Sequence, residues 1–278
     1  MEDARRSLIE SGYCVVREVL PPTMIRDLRA ATDALCDGQT EEHAARFRAQ
    51  GSMFQLGAVD GGVFARLIAW RPALDVLAAM GFAQPTYTDG YVISKPPKSP
   101  RLFWHYDWFA WEDPTAYDAQ PQQVFFMYYL SDTTAENGCL RAIPGSHRNH
   151  NPLHDLLAEP HSQAVSTDTA QGRAELSRRP DEIDVPVSAG DLLIGDARLL
   201  HATHPNDSDQ RRTVITLWFQ PDYANLPERI KAQMVAKTHA IPDAWPDADR
   251  EAVRRLNPTY EGDAEPYGRS LYRRRSDA

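Results

Sequence analysis

The sequence predicts a mainly β protein with flanking α-helices, whose core is an antiparallel sandwich or barrel of the jelly-roll type. Three observations point there. Short apolar runs at 87–95, 122–131, 138–144, 184–187, 191–195, 198–203 and 211–220 succeed one another through the middle of the chain. Gly, Pro, Asn and Asp punctuate them, and turns such as Asn137-Gly138 and Gly190-Asp191 suit tight antiparallel connections better than helical crossovers. Helical periodicity is confined to the two ends.

In chain order, residues 3–20 read as a short amphipathic helix followed by a strand, Tyr13 to Leu20, in which β-branched residues cluster after Gly12. Pro21 and Pro22 sit where a helix can begin. Met24, Leu28, Ala31 and Leu35 then recur at helical spacing until Asp37-Gly38. A second helix is expected over 64–80. The strand-rich core comes next, interrupted between Arg148 and Glu182 by a polar, weakly periodic stretch of the kind that forms lids, insertions or mobile loops. Helical patterns return at 226–237 and 246–256. The expected organisation is one domain over 1–278, with a helical part at 1–85, a core at 86–221 and a helical extension at 222–278. The basic run Arg269 to Arg275 reads as a solvated or partner-contacting terminus without assigned function.

Composition narrows the function classes. With 30 Lys and Arg against 39 Asp and Glu, the formal net charge of −9 disfavours nucleic acid and anionic membranes as partners. Hydrophobic residues make up 42% of the chain, enough for a sizeable core, yet no apolar run approaches the roughly 20 residues that span a bilayer. Cys14, Cys36 and Cys139 are odd in number and widely spaced, which argues against a disulfide framework or a thiolate zinc site. A soluble cytoplasmic protein is expected, a monomer or homodimer acting on a small molecule.

The segment Phe103 to Trp108 places His105 and Asp107 two residues apart, and in an extended chain such residues share a face. His201, at the end of a later apolar run, is the natural third partner. Two imidazoles and a carboxylate form a facial triad suited to iron(II), with open positions for a chelating co-substrate and O2. Arg212 begins the last core strand. Alternation puts it with Val214, Thr216 and Trp218 on one face, read as the interior one, where its planar fork could pair with the distal carboxylate of 2-oxoglutarate. His204 is a decoy for the third ligand. His147, His150, His154 and His161 could in principle form a second metal site, but loop histidines with structural roles are expected.

His105-x-Asp107, the run Glu136 to His147, the strand Gly190 to Gly195, and then His201, Asn206, Ser208 and Arg212 together resemble the phytanoyl-CoA dioxygenase family; so does the segment Gly12 to Leu20. The resemblance covers residues 5 to 225. It implies a double-stranded β-helix core, Fe(II), 2-oxoglutarate and O2 as cofactor and co-substrates, and oxidation of an unactivated carbon. His105, Asp107 and His201 match the family's iron ligands, and Arg212 matches its keto-acid clamp. Thr203 stands where an assisting serine is common. Ser208 and Tyr91 are further candidate contacts, as is Met127, which stands where relatives have Trp. Halogenation is not expected, because Asp107 fills the position a halide needs.

Trp104, Tyr106, Trp108, Phe109 and Trp111 crowd the motif, so some of them must face the substrate; Trp108 and Trp111 are the favoured pocket walls, with Trp104 a further candidate. The expected substrate is a natural product, a cationic or neutral, partly apolar scaffold suited to acidic surroundings. An acyl-CoA or amino-acid-derived substrate is the alternative, although Arg178-Arg179 is the sole obvious phosphate-binding candidate. A non-catalytic ligand-binding jelly-roll and a zinc or manganese cupin are the rival classes.

Overall fold

Ten strands make two antiparallel sheets in the computed structural model, which describes residues 1–46, 51–157 and 173–274. The larger sheet runs β1 (Tyr13–Val16), β8 (Leu192–Asp196), β5 (Val124–Tyr129), β10 (Arg212–Gln220), β3 (Thr86–Lys95) and β2 (Ser52–Gln55). The smaller runs β4 (Leu102–His105), β9 (His201–Thr203), β6 (Leu140–Ala142) and β7 (Ile183–Val185). Neighbours in space are distant in sequence, as in a jelly-roll, and this is the fold.

The period-2 alternation of the strands decides what each sheet face does. On β10, Ile215, Leu217 and Phe219 join Phe126 of β5 in the core beneath the helices, whereas Arg212, Val214, Thr216 and Trp218 face a cavity. On β5, Phe125, Met127 and Tyr129 turn the other way, into the space between the sheets. All six residues of β5 are buried, so neither face of this strand meets water. Each such aromatic contributes about 2–3 kcal/mol by leaving solvent.

Helices α1 (Glu2–Ser11), α2 (Pro22–Asp37), α3 (Glu41–Arg46), α4 (Gly62–Ile68) and α5 (Arg71–Ala79) precede the core. α2 matches its predicted span. The helix expected over 64–80 is two helices: Pro72, in the first turn of α5, marks a fresh start, and the Trp70 indole at the junction donates to Val19 O at 2.9 Å. The strand expected to reach Leu20 stops at Val16. Glu18 adopts φ 55 there, and its N–H is held by Asp191 Oδ1 at 3.1 Å. Sequence periodicity missed α3 and β2, which are only six and four residues long.

After the core come α6 (Glu228–Lys237) and α7 (Asp247–Arg254). The segment Tyr267–Tyr272 is tied down. Ser270 N–H donates to Phe109 O at 2.7 Å, Tyr272 N–H to the Tyr106 hydroxyl at 2.7 Å, and Tyr267 OH to Asp113 at 2.9 Å. Residues 267–273 thus strap the loop beyond β4 through Tyr267, Ser270 and Tyr272, while the described arginines of the basic run, Arg269, Arg273 and Arg274, stay exposed; Arg275 lies outside the described residues. Of the polar stretch 148–182, only its two ends are described. No helix among the described residues is long and apolar enough to cross a membrane, and all three cysteines are buried and unpaired.

Candidate active site

β4 and β9 pair in antiparallel register with His105 opposite His201, so two imidazoles meet where the strands adjoin. Their ring centroids are 4.1 Å apart. Asp107 lies just past β4, where the N–H groups of Asp107 and Trp108 both donate to Ala197 O, at 2.7 and 2.8 Å. One ligand atom from each of His105, Asp107 and His201 lies within 4.8 Å of the others. All three residues are buried to at least nine-tenths.

The surroundings set the donor atoms. His105 Nδ1 is 3.0 Å from Phe103 O and His201 Nδ1 is 3.0 Å from Leu199 O. A carbonyl can only accept, so both Nδ1 atoms carry a proton, and in the neutral form of each ring the lone pair stands at Nε2. The Trp218 indole donates to Asp107 Oδ2 at 3.0 Å, leaving Oδ1 toward His105 Nε2 at 3.6 Å. Two neutral nitrogens and one carboxylate oxygen, each oriented by a second partner, fit a divalent iron-type ion. Phe125 backs His201, with ring centroids 4.9 Å apart, and needs Gly195 to do so: a Cβ there would come within 2.0 Å of the Phe125 ring.

The triad opens on a cavity of about 1060 Å³. Along its wall stand Tyr91, Met127, Thr203 and Arg212, as the sequence suggested. Arg212 is only 2% exposed, lies over the Tyr129 ring at 5.3 Å, and has no carboxylate partner among the described residues. Its Nε, Thr203 Oγ1 and Thr216 Oγ1 are all buried without a hydrogen-bond partner. Three orphaned polar groups beside one cavity are costly unless a polar ligand completes them. A dicarboxylate meets that requirement. Burial holds the Arg212 guanidinium below its usual pKa, the cost expected of an uncompensated cation.

Other expected contacts fall elsewhere. Trp104, Trp108 and Trp111 are buried in a separate aromatic and aliphatic cluster and do not line the cavity. β4 ends at His105, so strand alternation no longer governs the residues beyond it. Trp104 stacks against Arg141 at 4.7 Å and donates to Ser177 O at 2.9 Å, while Trp111 packs on Tyr272 of the strap. Ser208 is also off the cavity, its hydroxyl bonded to Asn206 Oδ1 at 2.7 Å inside the turn before β10. His204 bonds Asp184 at 2.6 Å, apart from the triad. His147 is bound to Ile9 O, His150 to Asp155, and His154 caps the turn at Asn151; His161 lies outside the described residues.

Asp89, Lys237 and Arg269, which sequence reasoning missed, also line the cavity, and so does Phe109 from the aromatic group around the metal motif. Nothing local marks Lys237 and Arg269, because α6 and the strap reach the site only through tertiary packing, whereas Asp89 shares the Tyr91 face of β3 and could have been found by strand alternation. Burial, opposed by a hydrogen bond from Thr88, raises the Asp89 carboxyl to about 6.

The phytanoyl-CoA dioxygenase model matches residues 8–214, roughly three-quarters of the chain. The chain belongs to the phytanoyl-CoA dioxygenase family. The enzyme class that goes with this family is the iron- and 2-oxoglutarate-dependent dioxygenase. A phytanoyl-CoA dioxygenase domain-containing protein 1 homolog from Dictyostelium discoideum is 27% identical over 109 residues, 39% of this chain and only 38% of that protein. L-proline trans-4-hydroxylase from Streptomyces griseoviridis is 24% identical over 265 residues, covering 89% of this chain and 97% of the enzyme. Among solved structures, HygX from Streptomyces hygroscopicus with nickel, 2-oxoglutarate and hygromycin B bound superposes with a TM-score of 0.58 at 21% identity, over 80% of this chain and 87% of that one.

Proposed function

We propose that this chain is a non-haem oxygenase that holds iron(II) at His105, Asp107 and His201, holds 2-oxoglutarate against Arg212, and oxidises a small organic substrate of the natural-product class. The observation that carries the reading is the coincidence, in one cavity, of an oriented His–Asp–His group with a buried arginine that lacks a carboxylate partner among the described residues. When bound, the metal and keto acid supply oxidation of a C–H bond by O2, with conversion of 2-oxoglutarate to succinate and CO2. The protein supplies the rest. Arg212 takes the distal carboxylate in its fork, and Thr203 and Thr216 offer hydroxyls beside it. The Trp218 bond to Asp107 Oδ2 keeps the other carboxylate oxygen for the metal. Met127, Tyr91 and Trp218 give the cavity apolar walls that exclude water.

A volume of about 1060 Å³ reaches the upper end of the roughly 300–1,000 Å³ of drug-sized ligand sites, leaving room for a substrate beside the keto acid. The likeness to HygX, a structure with hygromycin B bound, supports a natural-product substrate. A non-catalytic ligand-binding jelly-roll could use the buried arginine but would have no use for the oriented His–Asp–His group beside it. The test is O2-dependent formation of succinate from 2-oxoglutarate with added Fe(II) and no substrate. Slow turnover is expected, lost in His201→Ala. Folded, metal-loaded protein that forms no succinate, with or without a panel of candidate substrates, would contradict the reading.

A further inference from the structure

The protein as a whole is acidic, but the part of the cavity beyond the metal and keto-acid positions is not. Among the described residues its charged wall residues, apart from Asp107 and Arg212, are Asp89, Lys237 and Arg269, a balance of one positive charge with Asp89 ionised and two with it protonated. The two cations are arranged around one ring. Lys237 Nζ lies 4.8 Å from the Phe109 centroid and Arg269 Cζ lies 3.8 Å from it. Phe109 is two residues beyond Asp107, so this cationic pair stands beside the metal triad.

Both cations are carried by elements that supply neither the triad nor the clamp. Lys237 ends α6, and among the described residues its ammonium has no hydrogen bond or ion pair beyond the Phe109 face. Burial, chiefly, and the neighbouring Arg269 hold it below the usual lysine pKa, against the opposing pull of Asp89 and Asp107. Arg269 is brought in by the strap, whose Ser270 donates both N–H and Oγ–H to Phe109 O, at 2.7 and 2.9 Å. A terminal segment that reads as a solvated basic tail is thus tied to the backbone of the very residue that Arg269 and Lys237 flank. An ammonium held half-buried over an aromatic face, as that of Lys237 is, is poised for an anion from outside.

We infer that Lys237 and Arg269, carried on α6 and the strap, form a subsite for an oxyanion of the substrate, a carboxylate or phosphate ester on an apolar body. The apolar body would lie along Phe109 and Tyr91, and the oxyanion would accept hydrogen bonds from the ammonium and the guanidinium. This departs from the cationic or neutral substrate that overall composition suggests, because the field in a cavity is set by its wall and not by the net charge. The inference rests on the oxygenase reading for the placement of the keto acid at Arg212.

The test is anaerobic calorimetric titration of protein loaded with Fe(II) and 2-oxoglutarate. The probes are hydrocinnamate, naphthylacetate and phenyl phosphate, each set against the matching neutral amide or phenol. At least one anion should bind roughly ten-fold or more tightly than its neutral partner, as expected for hydrogen bonds to charged groups. Lys237→Gln and Arg269→Gln should each erase most of that preference, and Arg269→Lys should restore part of it; thermal melts check that each variant is folded. Whether carboxylates or the phosphate gain more tells the two oxyanions apart. Keto-acid binding is read in the same wild-type samples from the visible charge-transfer band. A chain that shows the band yet binds anions no better than neutral partners, or keeps its preference in both Gln variants, overturns the subsite. A wild-type chain without the band fails the oxygenase reading first, and the subsite with it.

Discussion

Trp218 is the side chain on which the geometry of the triad turns. Its indole N–H occupies Asp107 Oδ2, so the carboxylate is held as a one-oxygen donor. Trp218→Phe keeps the apolar wall and removes only that bond. It is expected to weaken Fe(II) binding roughly 10- to 100-fold in an anaerobic titration, as loss of a ligand's outer partner does elsewhere, and unchanged affinity would refute the orienting role. Arg212 makes the opposite kind of prediction. Its guanidinium is buried with an orphaned Nε and, among the described residues, no carboxylate, so Arg212→Met should abolish 2-oxoglutarate binding while raising the stability of the ligand-free protein by about 1–2 kcal/mol in urea melts. A destabilised variant would mean that Arg212 has a structural partner after all. His105, His201 and Arg212 are legible in the sequence because each lies on a strand, and Asp107 because it follows His105 in a short motif, although it stands past the end of β4. The directions of Trp108 and Trp111 are not, since both lie past the end of β4 and are turned by the cluster that includes Leu153, Ile230 and the strap.

At the scale of elements, the C-terminal strap links the aromatic cluster to the site. Tyr272 stacks on His154 with centroids 4.0 Å apart and planes 12° from parallel. Burial, and after it the neighbouring His150, hold the His154 imidazole down at about 4. Between pH 6.5 and about 4 the unfolded chain therefore takes up a proton that the folded state refuses, so stability falls as pH drops through this window. His154→Gln keeps an acceptor at the Asn151 cap and cannot titrate. Its stability should decline less steeply than that of the wild type, by on the order of 2–3 kcal/mol at pH 4, in urea unfolding at several pH values. Parallel profiles would remove His154 from the account of acid sensitivity. The strands and the longer helices are readable from periodicity, whereas the docking of the strap is not. Its hydrogen bonds run largely through backbone atoms of Phe109, Ser270 and Tyr272, which carry no signature in side-chain order.

For the whole molecule, the decisive fact is topological. The spatial order β1-β8-β5-β10-β3-β2 in one sheet and β4-β9-β6-β7 in the other brings His105 and His201 into direct register although nearly a hundred residues separate them. It also turns the Arg212 face of β10 toward the same cavity. Chemistry and spacing along the chain suggest these partners, but only the fold puts them in one space. The central claim is that this space binds iron(II) and 2-oxoglutarate together, and the direct measurement is anaerobic addition of both to metal-free protein under visible spectroscopy. A weak charge-transfer band is expected, absent in His105→Ala and in Arg212→Ala. Folded wild-type protein with no band, or a band that survives both substitutions, would contradict the claim.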